Sequence, residues 1–96
     1  MLFALDCTDK PDAFELRAAT RPAHLEYLNR LAAQLVLAGP VSADGKPVGS
    51  LLIIEAESQQ AAEEFVAADP YALAGLFAQV RVRPFRVVFQ DGKQVA

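Results

Sequence analysis

The chain predicts an α+β fold of order β-α-β-β-α-β, a four-stranded antiparallel sheet with two helices on one of its faces. Three observations predict it. Short apolar runs of strand length alternate with stretches of helical spacing. An Asp44-Gly45 pair, a strong hairpin dipeptide because both positions can take φ > 0, divides the chain into two βαβ-like halves. A length of 96 residues suits one such unit.

The elements follow in order. Leu2 to Cys7 is an apolar run and reads as the first strand. The turn cluster Thr8-Asp9-Lys10-Pro11-Asp12 follows. Thr8 or Asp9 can cap a helix beginning near Lys10-Pro11, because proline is tolerated in a first helical turn. That helix is expected to reach about Ala19. Thr20-Arg21-Pro22 reads as a fresh cap or a kink, and the main helix then continues to about Ala38 and stops at Gly39-Pro40. Val41 to Ala43 is a short strand before the Asp44-Gly45 turn. Val48 to Ala56 is the clearest strand. Ser58 can cap the next helix, whose stripe is Ala61, Ala62, Phe65 and Val66. Asp69-Pro70 ends that helix and starts a short one, Tyr71 to Phe77. Val80 to Gln90 is the last long strand, Asp91-Gly92 turns the chain, and Lys93 to Ala96 is a tail. This order is the ferredoxin-like pattern.

Composition narrows the function. The chain is 53% hydrophobic with a net charge of −3, and its pI is near 5.0. That balance disfavours nucleic acid and anionic membrane surfaces, both of which want a basic footprint. No run is long and apolar enough to span a bilayer, and Met1-Leu2-Phe3-Ala4-Leu5-Asp6 lacks the basic start of a signal peptide. Cys7 is the single cysteine and reads as a buried small hydrophobe. A cytoplasmic location is expected. Metal binding is weak, with one His, one Cys and no ligand spacing. No phosphate loop or dinucleotide fingerprint is present, so no cofactor is expected.

Both faces of the strands are apolar. Val48, Ser50, Leu52 and Ile54 face one way, and Gly49, Leu51 and Ile53 the other. Two helices cover one face. A one-sided antiparallel sheet alternates apolar with polar, so the second face wants another sheet, most simply from an identical chain. Burying roughly 600 Å² of apolar surface per chain is worth on the order of 15 kcal/mol before association costs of similar order.

One residue stands out chemically. His24 is the single histidine, and at 100° per residue it shares an arc with Leu28, Leu31, Ala32 and Leu35. A titratable ring is carried on an apolar stripe. It can give or take a proton near neutral pH; the plainer alternative is a structural histidine bonded inside the fold. Asp69 before Pro70 is what a helix cap looks like. A capping carboxylate can also orient one nitrogen of His24. Arg21 falls one turn before His24 and can hold an anionic substrate, or be a surface charge. Ser50 can hydrogen-bond a substrate oxygen, but no nucleophile elbow surrounds it. Tyr71 can offer a hydroxyl to a phenolic or enolic ligand, or simply edge the core. Arg81 and Arg83 share a face of the last strand as a local positive edge.

Several segments together resemble a known family. They are Arg21-Pro22-Ala23-His24-Leu25-Glu26-Tyr27-Leu28, Gly39-Pro40, Gly49-Ser50, Glu55-Ala56, Asp69-Pro70-Tyr71, Ala74-Gly75-Leu76-Phe77 and Val80-Arg81-Val82-Arg83-Pro84-Phe85. In order and spacing they resemble the YCII-related (YciI-like) proteins over nearly the whole chain. The resemblance implies a single YCII-related domain over residues 1–96, pairing through its sheet into a dimeric α/β barrel. It also implies a site built around His24 and Asp69. Gly39, Pro40, Ser50, Pro70 and Tyr71 match other recurring positions. A related dehydrochlorinase acts on a chlorinated hydroxyquinol, and similar barrels host cofactor-free isomerases and oxygenases. The family supplies a site but no substrate.

The expected function is a small cofactor-independent enzyme of isomerase or lyase type. His24 and Asp69 would be its acid/base pair, with Arg21, Ser50, Tyr71 and Pro40 lining the substrate site. The substrate would be a small molecule of aromatic or enolisable kind. The alternative is a non-catalytic dimer that binds a small ligand or regulates.

Overall fold

A computed structural model describes residues 1–96. The elements are β1 (Leu2–Asp9), α1 (Phe14–Arg30), a 3-10 turn (Ala32–Gln34), β2 (Leu35–Ala43), β3 (Lys46–Glu55), α2 (Gln59–Ala67), α3 (Pro70–Leu73), β4 (Phe77–Phe85), β5 (Phe89–Gln90) and β6 (Lys93–Gln94). β1 to β4 form an antiparallel sheet in the order β2-β3-β1-β4. The helices pack on one face of it. This is the ferredoxin-like α+β architecture.

Strand alternation sets the core. Phe3, Leu5 and Cys7 of β1 stand opposite Ile54, Leu52 and Ser50 of β3, and all six are buried. Tyr27 and Leu28 of α1 and Ala62, Phe65 and Val66 of α2 close over the apolar ones. The Tyr27 hydroxyl donates to the Phe65 carbonyl at 2.6 Å and ties the two helices together. Burial pushes that phenol above its ordinary pKa. The central strands approach closely at Gly49. A Cβ there would lie 2.4 Å from the Cys7 carbonyl oxygen, so only glycine fits.

The turns follow their chemistry. Asp44 and Gly45 take φ of 52° and 77°, the two left-handed positions of a tight hairpin. Ser58 caps α2 by accepting the Ala61 N–H at 3.1 Å. Asp69 caps α3, with Pro70 in the first turn.

Besides the short helix, which ends at Leu73 rather than Phe77 with Phe77 already opening β4, three boundaries differ from the sequence expectation. The first helix is continuous through Pro22 and ends at Arg30, not Ala38. Gly39-Pro40 is not a helix stop but lies within β2. β2 is an edge strand, where proline is tolerated because no inner neighbour needs its missing N–H. Leu31 and Leu35 still pack against the core, from outside the helix. Second, Asp9 caps nothing. α1 starts at Phe14 behind Ala13, with no side-chain cap bond, and Asp9 is the last residue of β1. Third, β4 leaves the sheet after Phe85, which pairs with Leu2 at the start of β1. No strand remains beside it, and the chain folds back as the β5–β6 hairpin around Asp91-Gly92.

Candidate active site

A cavity of about 310 Å³ runs along α1, between that helix and the edge strand β2 with its neighbour β3. Its helix wall carries Phe14, Arg17, Ala18, Arg21, His24, Leu25 and Leu28. That spacing of three and four residues is one helical face. Opposite stand Ala38, Gly39 and Pro40 of β2 and Pro47, Ser50 and Leu52 of β3, with Tyr71 at the back.

His24 and Asp69 meet although 45 residues separate them. Nδ1 of His24 lies 2.9 Å from each Asp69 carboxylate oxygen. Both residues are buried. Asp69 also accepts the Tyr71 backbone N–H at 2.8 Å. One carboxylate therefore caps α3 and holds the imidazole. Asp69 stands behind the ring, away from the cavity lining. Since Nδ1 is taken, Nε2 is the nitrogen left for the cavity that His24 lines. The Tyr71 ring stacks on the imidazole, with centroids 3.9 Å apart and planes 18° off parallel.

Arg17, absent from the sequence reading, is the second centre of the site. It sits two turns before His24 on the same helix face. Its Nε donates to Asp9 Oδ2 at 2.7 Å. One Nη donates to Ser50 Oγ at 2.6 Å, and the other reaches the Tyr71 hydroxyl at 3.5 Å. The guanidinium carbon lies 4.6 Å from the Tyr71 ring centroid. Arg17 and Asp9 are a buried ion pair, with side chains 7% and 5% exposed. Burial raises the pKa of the Tyr71 phenol, and Arg17 and Arg21 pull it back only in part. The hydroxyl therefore stays protonated at neutral pH.

Ser50 is buried and bonded to Arg17, while Tyr71 is buried with its ring against His24. Pro40 pairs with Ser50 across β2 and β3 and lines the cavity. Arg21 lines it as well and is exposed. Arg17 had a signal in the sequence: it precedes His24 by seven residues, hence two turns on one face. Asp9 had none, because its carboxylate beside a turn reads equally well as a cap. No three His, Cys, Asp or Glu side chains converge to hold a metal ion. The groups that do converge are mostly donors, suited to an anionic or phenolic oxygen.

A family model of the YCII-related domain matches residues 1–86. The chain belongs to the YCII-related family. This YCII-related protein is 41% identical to Protein YciI of Escherichia coli O6:H1 over 98 aligned positions, covering 93% of the chain and all of that protein. It is 40% identical, with the same coverage, to an uncharacterized protein of Haemophilus influenzae. Among solved structures it is similar to the 5-chloro-2-hydroxyhydroquinone dehydrochlorinase TftG of Burkholderia phenoliruptrix AC1100, in complex with 2,5-dihydroxybenzoquinone. That match has a TM-score of 0.83 and 37% identity, covering 90% of this chain and 94% of that one. An antibiotic biosynthesis monooxygenase-like protein of Bacteroides thetaiotaomicron matches with a TM-score of 0.58 and 13% identity, covering 99% of this chain and 95% of that one. At that identity the likeness concerns the fold alone, the α/β-barrel class.

Proposed function

We propose that this YCII-related protein is a cofactor-independent acid/base enzyme of isomerase or lyase type, acting on a small hydroxylated ring or similarly enolisable molecule. The carrying observation is a histidine whose one nitrogen is fixed by a buried carboxylate while the ring lines a cavity. Asp69 selects the tautomer with the proton on Nδ1, so Nε2 is free to take a proton from the ligand. As that proton leaves, negative charge develops on a ligand oxygen. Arg17, oriented by Asp9, and the Ser50 hydroxyl provide a prearranged hole for it. The electron pair then either shifts within the molecule, an isomerisation, or expels a leaving group, an elimination. The complex of TftG with 2,5-dihydroxybenzoquinone supports a ligand of single-ring size. Arg21 and the protonated Tyr71 hydroxyl complete the polar lining, and Pro40 forms part of the wall. All of residues 1–96 act as one such unit, in the cytoplasm.

The assay is chloride release from 5-chloro-2-hydroxyhydroquinone by the purified protein. Turnover is expected, and His24→Gln or Asp69→Asn lowers kcat by roughly 10²- to 10⁴-fold with folding retained. A wild-type protein that binds 2,5-dihydroxybenzoquinone yet releases no chloride from that compound, and shows no proton exchange with ring analogues, is a ligand-binding protein rather than an enzyme.

A further inference from the structure

The cavity stops at Phe14, and position along it can be read from the helix. Arg17 and His24 are seven residues apart, about 10 Å of helix rise. A single ring with an oxygen at each end spans that interval. Phe14 lies one turn beyond Arg17, and on β3 Pro47 stands beyond Ser50 in step with it. A second cavity of about 710 Å³ begins on the far side, walled by Asp9, Asp12, Asp44 and Lys46 among others. Phe14 and Pro47 belong to the linings of both cavities.

Phe14 is not a core residue. It is 47% exposed, and the Lys46 ammonium sits 5.6 Å from its ring centroid. The ring is thus held between the start of α1 and the β2–β3 hairpin by a cation–π contact. We infer that Phe14, backed by Pro47 and held by Lys46, is the wall that sets substrate specificity. It limits the ligand to one ring whose oxygen ends at Arg17 and Ser50, and it closes off a space large enough for a second ring. This rests on the reading of His24 and the Arg17–Ser50 pair given above.

Binding of two probes to the full-length protein tests it. One is 2,5-dihydroxybenzoquinone, and the other is 2-hydroxy-1,4-naphthoquinone, which carries a fused second ring. Wild type should prefer the single ring by about tenfold or more. Phe14→Ala should bring the two affinities within about threefold, by tightening the fused-ring probe. Lys46→Gln should move the ratio the same way by less. Phe85→Ala, on the opposite face of the sheet, should leave it unchanged, and thermal unfolding checks that each variant is folded. Equal binding of both probes by wild type overturns the wall, as does an unchanged ratio in a folded Phe14→Ala protein. Faster association of both probes without a change in ratio makes Phe14 an entrance rather than a wall, which also overturns it. A wild-type protein that binds neither probe defeats the reading of the cavity itself, and the wall with it.

Discussion

Replacing Asp9 with Asn leaves the Arg17 guanidinium buried without its counter-charge. Removing one partner of such a pair costs about 3 kcal/mol or more, because the remaining charge stays out of water. Asp9→Asn should lower the free energy of unfolding measured in urea by that amount and weaken binding of an anionic ligand. Arg17→Met leaves the Asp9 carboxylate buried without its partner and removes the bonds to Ser50 and Tyr71, so it should cost at least as much stability and more binding. Cys7 gives a second test. Burial, helped by nearby Asp69, pushes its thiol from 9.0 up to about 12. Above pH 9 the unfolded thiol ionises and the folded one does not, so the unfolded state gains. Stability should therefore fall between pH 9 and 12, by about 1.4 kcal/mol per pH unit within that window. Tyr27 and Tyr71, whose pKa values are also raised, add to the fall above pH 10. Urea unfolding from pH 8 to 11 checks this, and Cys7→Ala should flatten the curve between pH 9 and 10. Much of the site was legible at this scale, since a polar ring on an apolar stripe and a carboxylate before proline are both local anomalies. Arg17 was legible only in part: its seven-residue spacing marks the His24 face, but nothing local shows that it is buried until the fold supplies Asp9 and Ser50.

Between β1 and β3 the backbone leaves no room for a side chain at Gly49. Gly49→Ala must push the two central strands apart or twist Ser50 from its bond to Arg17. We expect a loss of about 2 kcal/mol or more in chemical denaturation, well above the cost of an ordinary strand substitution. The loss of ligand affinity should exceed what Gly39→Ala produces, where a Cβ meets nothing. At the scale of elements the sequence was read well wherever turn chemistry is local, as at Asp44-Gly45 and Ser58. It was misread between Leu31 and Pro40, for a physical reason. Leu31 and Leu35 fit both a helical stripe and a strand, and Gly39-Pro40 is a stop signal for a helix but acceptable on an edge strand. The decision lies in the pairing of β2 with β3, a long-range contact that no local window contains. Pro22 shows the converse: α1 passes through it, so packing of the helix face outweighs a local break.

The helices cover one face of the four-stranded sheet and leave the other bare. Register places Leu37 and Val41 of β2, Leu51 and Ile53 of β3, Leu2 and Ala4 of β1 and Phe85 of β4 on that bare face. Leu37, Leu51 and Phe85 are 54%, 39% and 43% exposed. An antiparallel sheet with one wet face should present polar residues there. A second copy of this chain is the occupant we propose. A two-fold partner brings the same apolar rows, and Asp6 and Glu55 on one copy can face Arg81 and Arg83 on the other. The cavity beside His24 opens on the helix side, so pairing through the bare face leaves it free for ligand. Sedimentation equilibrium should report a dimer at micromolar concentration. Leu51→Glu places a charge at the centre of the face, and it should give a monomer with unchanged circular dichroism. If wild type sediments as a monomer throughout, or if Leu51→Glu remains dimeric, association does not run through this face. The exposed leucines and Phe85 would then need a different partner.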